Sequence, residues 1–199
     1  KKIVKRGVTE LVTPGVSFND QVLEQKSNNF LAAIHFDGAG GGVSFLDVST
    51  GEFLVAEGDA LFIDKLIQGY KPKEILFQRN KEKEFVETFG SDHYTYKLDE
   101  WIFNIDFAKD TLLNHFKINS FKGFGVEEYE NGIIAAGAIM QYLSDTRNDK
   151  LSHVQNISRI SRDEYVWLDK FTIRNLELIG SQHQDATTLF NILDHTTTP

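Results

Sequence analysis

Three short apolar runs, Phe30 to Phe36, Val43 to Val48 and Phe53 to Ala56, stand between two glycine-bearing turns, and that spacing leaves few folds open. The first run is apolar at both alternating positions, which predicts a strand covered on both faces rather than one with a wet side. Gly38-Ala-Gly-Gly-Gly42 reads as a flexible hairpin tip and Ser49-Thr-Gly-Glu52 as a second turn, so the three runs join as an antiparallel meander.

Beyond the meander the period changes. Leu61, Phe62, Leu66 and Ile67 fall at helical spacing, and Pro72 closes that helix before a compact strand at Ile75-Leu-Phe77. Lys81 to Phe89 predicts a second short helix, and His93 to Leu98 alternates as a further strand. Antiparallel strands followed by helix, strand, helix, strand predict an α/β fold: a mixed sheet with helices packed on its faces. Trp101 to Phe116 and Glu127 to Leu143 are helical in period. Gly132, Ala135, Ala136, Gly137 and Ala138 inside the second helix predict close approach of another backbone. His153 to Ile160 reads as a short extended return.

The flanks read differently. Val12-Thr-Pro-Gly15 suits a type II turn, and the polar stretch from Ser17 to Ser27 places a boundary near residue 27. Ser161-Arg-Asp-Glu164 has the form of a capping box. Behind it, Val166, Trp167, Phe171, Ile173, Leu176, Leu178 and Ile179 predict a helix with more apolar surface than so short a segment can bury alone. The expectation is a piece of a larger protein, and the absence of an initiator methionine points the same way.

Composition narrows the classes of function. With 41% hydrophobic and 12% aromatic residues, a proper core is expected. No cysteine is present, which removes disulfides, thiolate nucleophiles and zinc-thiolate sites and suits the cytoplasm. No apolar run is long enough to span a membrane, and Lys1-Lys-Ile-Val-Lys-Arg6 lacks the pattern of a signal peptide. The net charge of -8 is uneven: residues 1 to 15 carry +3, residues 161 to 199 carry -3, and the middle carries the remaining -8. Such a middle segment is a poor candidate for an extended DNA-binding face, which needs basic groups to displace phosphate counterions.

Chemistry-bearing patterns are sparse. Asp37, Asp47 and Glu52 lie on or beside the first strands of what reads as a ribonuclease H-like sheet, and nucleases of that kind hold two divalent ions with a few carboxylates. This metal-dependent nuclease is the alternative reading. The glycine cluster is followed by neither Gly-Lys-Ser/Thr nor a helix N-terminus, so it is not a phosphate cradle. The histidines at 35, 93, 115, 153, 183 and 195 show no metal-ligand spacing, and no Gly-x-Ser-x-Gly elbow anchors a hydrolase triad. The residues alone describe an α/β domain with helical additions and no visible active site.

Six motifs in order carry a resemblance: Val12-Thr-Pro-Gly15, Asn28 to Ile34, Leu46 to Phe53, Gly123-Phe-Gly-Val126, Ala135 to Ala138 with Gln141-Tyr142, and Arg174-Asn-Leu-Glu-Leu178 followed by Leu189 to Pro199. Together they resemble the bacterial MutS family of mismatch-recognition proteins along essentially the entire chain. The resemblance implies that residues 1–27 are the end of the mismatch-binding domain and its linker. It implies that 28–160 are a connector domain with a ribonuclease H-like fold and no nuclease activity, and that 161–199 open an all-α core and lever domain. No catalysis, cofactor or metal is then expected within the fragment. ATP and magnesium, a homodimer and mismatched DNA belong to other parts of the parent. The connector would couple the mismatch-binding end to the ATPase end and offer a surface to MutL. That surface maps to Phe107-Ala-Lys-Asp-Thr111, with Lys109, Asp110 and Thr111 as the candidate contacts. Where the family characteristically carries a pair of glutamines, this chain has Asp110 and Thr111.

Overall fold

The computed structural model describes residues 13–16, 29–38, 40–146, 151–161, 168, 172, 175–178 and 187–193. The chain divides into two compact units, Lys1–Ile160 and Ser161–Pro199. In the first unit, β1 (Phe30–Asp37), β2 (Gly40–Asp47) and β3 (Phe53–Asp59) form the antiparallel meander. β4 (Glu74–Gln78) lies parallel to β1, and β5 (Thr95–Leu98) parallel to β4. β6, only Ser158–Arg159, runs parallel to β3. The strand order is β5-β4-β1-β2-β3-β6, a mixed sheet with β1 at its centre.

The core follows from alternation on both faces. Leu31, Ala33, Leu46, Phe53, Val55 and Leu76 point to one face, which is covered by α4 (Glu130–Asp145) with α3 (Ile105–Phe116) packed outside it. Residues one step out of phase cover the other face under α1 (Ala60–Tyr70) and α2 (Glu82–Phe89). Phe45 stacks on Tyr70 of α1 at 4.8 Å, and Phe77 stacks on Phe85 of α2 at 4.4 Å. A central strand apolar on both sides therefore needs two helical layers, as its sequence predicts.

Local signals set the helix ends. Asp59 caps α1 through the amide of Phe62, and Lys71 ends it in the left-handed conformation just before Pro72. Within α1 the buried face is Phe62, Ile63, Leu66 and Ile67, while Leu61 is exposed, one position off the expected stripe. The long helical stretch from Trp101 is split into a 3-10 turn at Glu100–Ile102 and α3, because Asn104 accepts from the amides of Asp106 and Phe107 and restarts the helix.

Two expectations change. The glycine cluster is not a loose hairpin tip: Gly40, Gly41 and Gly42 are strand residues paired with Asp37, Phe36 and His35. The cause is α4. A Cβ on Gly42 would lie 2.1 Å from the carbonyl carbon of Asn131, so glycine there makes room for a helix end. The extended return at 153–160 is mostly irregular, with only two residues pairing to β3.

The small residues of α4 behave as expected. A Cβ on Gly137 would lie 2.5 Å from the Cβ of Ala108, so α3 and α4 touch nearly backbone to backbone. In the second unit, α5 (Leu189–Leu193) follows two backbone hydrogen bonds, Leu189 N to Glu177 O and Phe190 N to Leu178 O. Leu176, Leu189, Phe190, Ile192 and Leu193 are exposed there. The capping box at 161–164 and most of the apolar helix expected behind it fall outside the described residues.

Candidate docking face

α3 is seated by one side and open on the other. Ala108 and Leu112, four residues apart, are fully buried against α4. Asp106, Asp110 and Asn114 repeat at the same spacing on the exposed side. Of the three candidate contacts, Asp110 projects from this outer row. Lys109 is half-exposed and sits 3.6 Å from Glu130 at the start of α4, a pair exposed enough to add well under about 1 kcal/mol. Thr111 turns its hydroxyl back to the Phe107 carbonyl at 2.8 Å and lines a cleft of about 790 Å³ shared with Asn114, His115, Met140 and Leu151. At the other end, exposed Trp101 meets Phe107 edge to face at 5.1 Å.

The carboxylates of the nuclease alternative do not converge. Phe30 pairs with Asp47 and Asp37 with Gly40, so Asp37 and Asp47 stand at opposite ends of the hairpin, about 23 Å apart at ~3.3 Å per residue. Asp47 is buried and its oxygens are already used: they accept from the amides of Asn29, Ser49 and Thr50 and from the Ser49 hydroxyl. It organises a turn. Glu52 is exposed at the far side of that turn. Among the described residues no group of three or more His, Asp or Glu is placed to hold a metal ion.

Of the histidines, His93, His115 and His153 each hydrogen-bond a backbone carbonyl, of Phe89, Val154 and Val48 respectively, while His183 and His195 lie outside the described residues. His35 differs. Its ring stacks on Phe103, and its buried Nδ1 has no hydrogen-bond partner among the described residues. Burial lowers its pKa from the usual value, with Asp37 opposing and Lys81 reinforcing the shift. The unfolded chain therefore takes up this proton near pH 6.5 while the folded one resists, and stability is lost as pH falls below that point. His35→Phe keeps the stacking and removes the proton, so urea midpoints at pH 7.5 and 5.5 should lie closer together than in the parent. An unchanged gap between those midpoints would contradict this account.

Two positions had no sequence signal. Glu57 on β3 accepts from the amide of Gly132 at 2.9 Å and so caps α4, whose own N-cap residue Tyr129 makes no side-chain cap bond. Burial raises the Glu57 pKa, the hydrogen bonds from Gly132 and Asn131 oppose it, and Glu130 and Asp37 add to it. Glu74 is wholly buried at the start of β4. Their partners lie roughly 60 or more residues away, beyond any local pattern.

Residues 29–155 match the family profile described as MutS domain II. This chain belongs to the MutS domain II family. The MutS match begins one residue before β1 and takes in the meander, α1 to α4 and β5. Over all 199 residues the chain is 55% identical to the DNA mismatch repair protein MutS of Cytophaga hutchinsonii, of Christiangramia forsetii and of Bacteroides thetaiotaomicron. It spans 23% of the length of these MutS relatives. No helix among the described residues is long and apolar enough to cross a membrane.

Proposed function

We propose that the chain is the connector segment of a MutS-type mismatch repair protein, coupling a mismatch-binding end to an ATPase end and offering the outer face of α3 to MutL. In this reading residues 1–27 end the mismatch-binding domain, 28–160 are the connector, and 161–199 begin the helical core. The segment itself performs no catalysis. ATP, magnesium, mismatched DNA and homodimer formation belong to the rest of the cytoplasmic parent.

The observation that carries the reading is the similarity to MutS proteins over all 199 residues of the chain. The sheet with helices on both faces supports it as well, since close-packed seats such as Gly137 on Ala108 resist compression and pass strain on. The open row of Asp106, Asp110 and Asn114 supports the docking part.

Charge reversal at Asp110, in the complete polypeptide, is expected to weaken MutL recruitment about tenfold or more, as repulsive charges within a contact do, with mismatch binding unchanged. Lys109→Glu should act in the same direction and additionally repel Glu130. Equal loss of mismatch binding and recruitment would show that the fold, not the face, had been damaged. Single cysteines from residue 101 to 117 can be crosslinked to MutL, and these 199 residues contribute no background thiols of their own. Crosslinks absent from the Asp106, Asp110 and Asn114 row would reject this face.

A further inference from the structure

Glu74 is completely buried, and a carboxyl group out of water must have its lone pairs satisfied. Its donors come from both directions along the chain. Thr13 Oγ1 donates to Oε2 at 2.6 Å, the Gly15 amide to the same oxygen at 3.2 Å, and the Tyr142 hydroxyl to Oε1 at 2.9 Å. The Tyr142 oxygen also lies 3.3 Å from Thr13 Oγ1, so the three side chains form one cluster. Burial, above all, raises the Tyr142 pKa, which keeps its hydroxyl proton in place as a donor. The short 3-10 turn at Pro14–Val16 packs against β1 and β4 beside this cluster.

We propose that Glu74 is an anchor strapping the entering segment, residues 13–16, to β4 and to the last turns of α4 as a single rigid element. A displacement arriving at Thr13 then reaches α4 directly through the Glu74 and Tyr142 hydrogen bonds. α4 in turn carries α3 through the seat of Ala108 on Gly137. This strap goes beyond the docking reading and stands on its own geometry.

Amide hydrogen exchange on the full chain tests it, with Gly15 reporting the strap and Ile34 and Phe45 reporting the sheet. Thr13→Val should speed exchange at Gly15 about tenfold, and Tyr142→Phe, remote in sequence, about threefold, with Ile34 and Phe45 within about twofold of the parent in both. Unchanged exchange at Gly15 in both variants would overturn the proposal. So would acceleration only in step with Ile34 and Phe45, because the segment would then open with the whole domain. Glu74→Gln removes the anchor itself, and these two milder variants keep the test decisive if that protein does not fold.

Discussion

Gly42→Ala is expected to destabilise the first unit by about 3 to 5 kcal/mol, read as a fall in the urea midpoint at unchanged slope. Propensity alone predicts the opposite, since glycine inside a strand is worse than alanine by about 0.5–1 kcal/mol. Sterics decide. The added Cβ would sit 2.1 Å from the Asn131 carbonyl carbon and 2.3 Å from the Gly132 amide nitrogen, and these are backbone atoms that cannot rotate away. The start of α4 would have to lift off the sheet, taking Gly132 from the Glu57 carboxylate that caps it. Gly69→Ala is the control: that glycine is exposed in α1 with nothing within 4 Å of a new Cβ, so the substitution should stabilise by about 0.5–1 kcal/mol. A loss below about 1 kcal/mol for Gly42→Ala would mean the helix end is not seated there.

Asp47→Ala should lose about 2 to 4 kcal/mol and no nucleolytic activity, because the carboxylate supports a turn and not a metal. Its removal strands the buried amide of Asn29 and unties the amides of Ser49 and Thr50, which together hold the β2–β3 connection and the approach to β1. Asp47→Asn keeps one acceptor oxygen and should lose less, about 1 to 2 kcal/mol. Thermal unfolding of both variants, alongside cleavage assays with magnesium on the parent, separates the roles. Magnesium-dependent cleavage by the parent that Asp47→Asn abolishes at unchanged stability would restore the nuclease reading. The expected pattern is the reverse: altered melting, with no cleavage in any variant.

Both expectations turn on the same physical distinction. The apolar phase of Phe30 to Phe36, the break at Pro72 and the small residues of α4 act over a few neighbours, so strand, stop and close-packed helix were readable from the chain. The order of the meander followed as well, because short turns allow little else. The family signal was also linear, carried by motifs in order. The candidate face was legible only as a stretch: residues 107 to 111 could be pointed to, but which of them projects depends on where Asn104 restarts the helix and on Ala108 taking the inner side.

Pattern reading erred at Gly40 to Gly42, and at Asp47 it left a metal-ligand alternative open, because identical residue types serve unlike ends. Glycines that look like a flexible tip are strand residues, of which Gly42 makes room for Asn131, and the Asp47 carboxylate at its strand end caps a turn. The partner that settles Gly42 sits about 90 residues downstream, and those of Glu74, which had no local signal, about 60 residues upstream, whereas Asp47 is settled by the nearby Asn29, Ser49 and Thr50. Local periodicity is a property of neighbouring residues and can be read in one dimension. Excluded volume and the satisfaction of buried polar groups are properties of a closed three-dimensional packing, and they take their values only once the sheet and its two helical layers have come together.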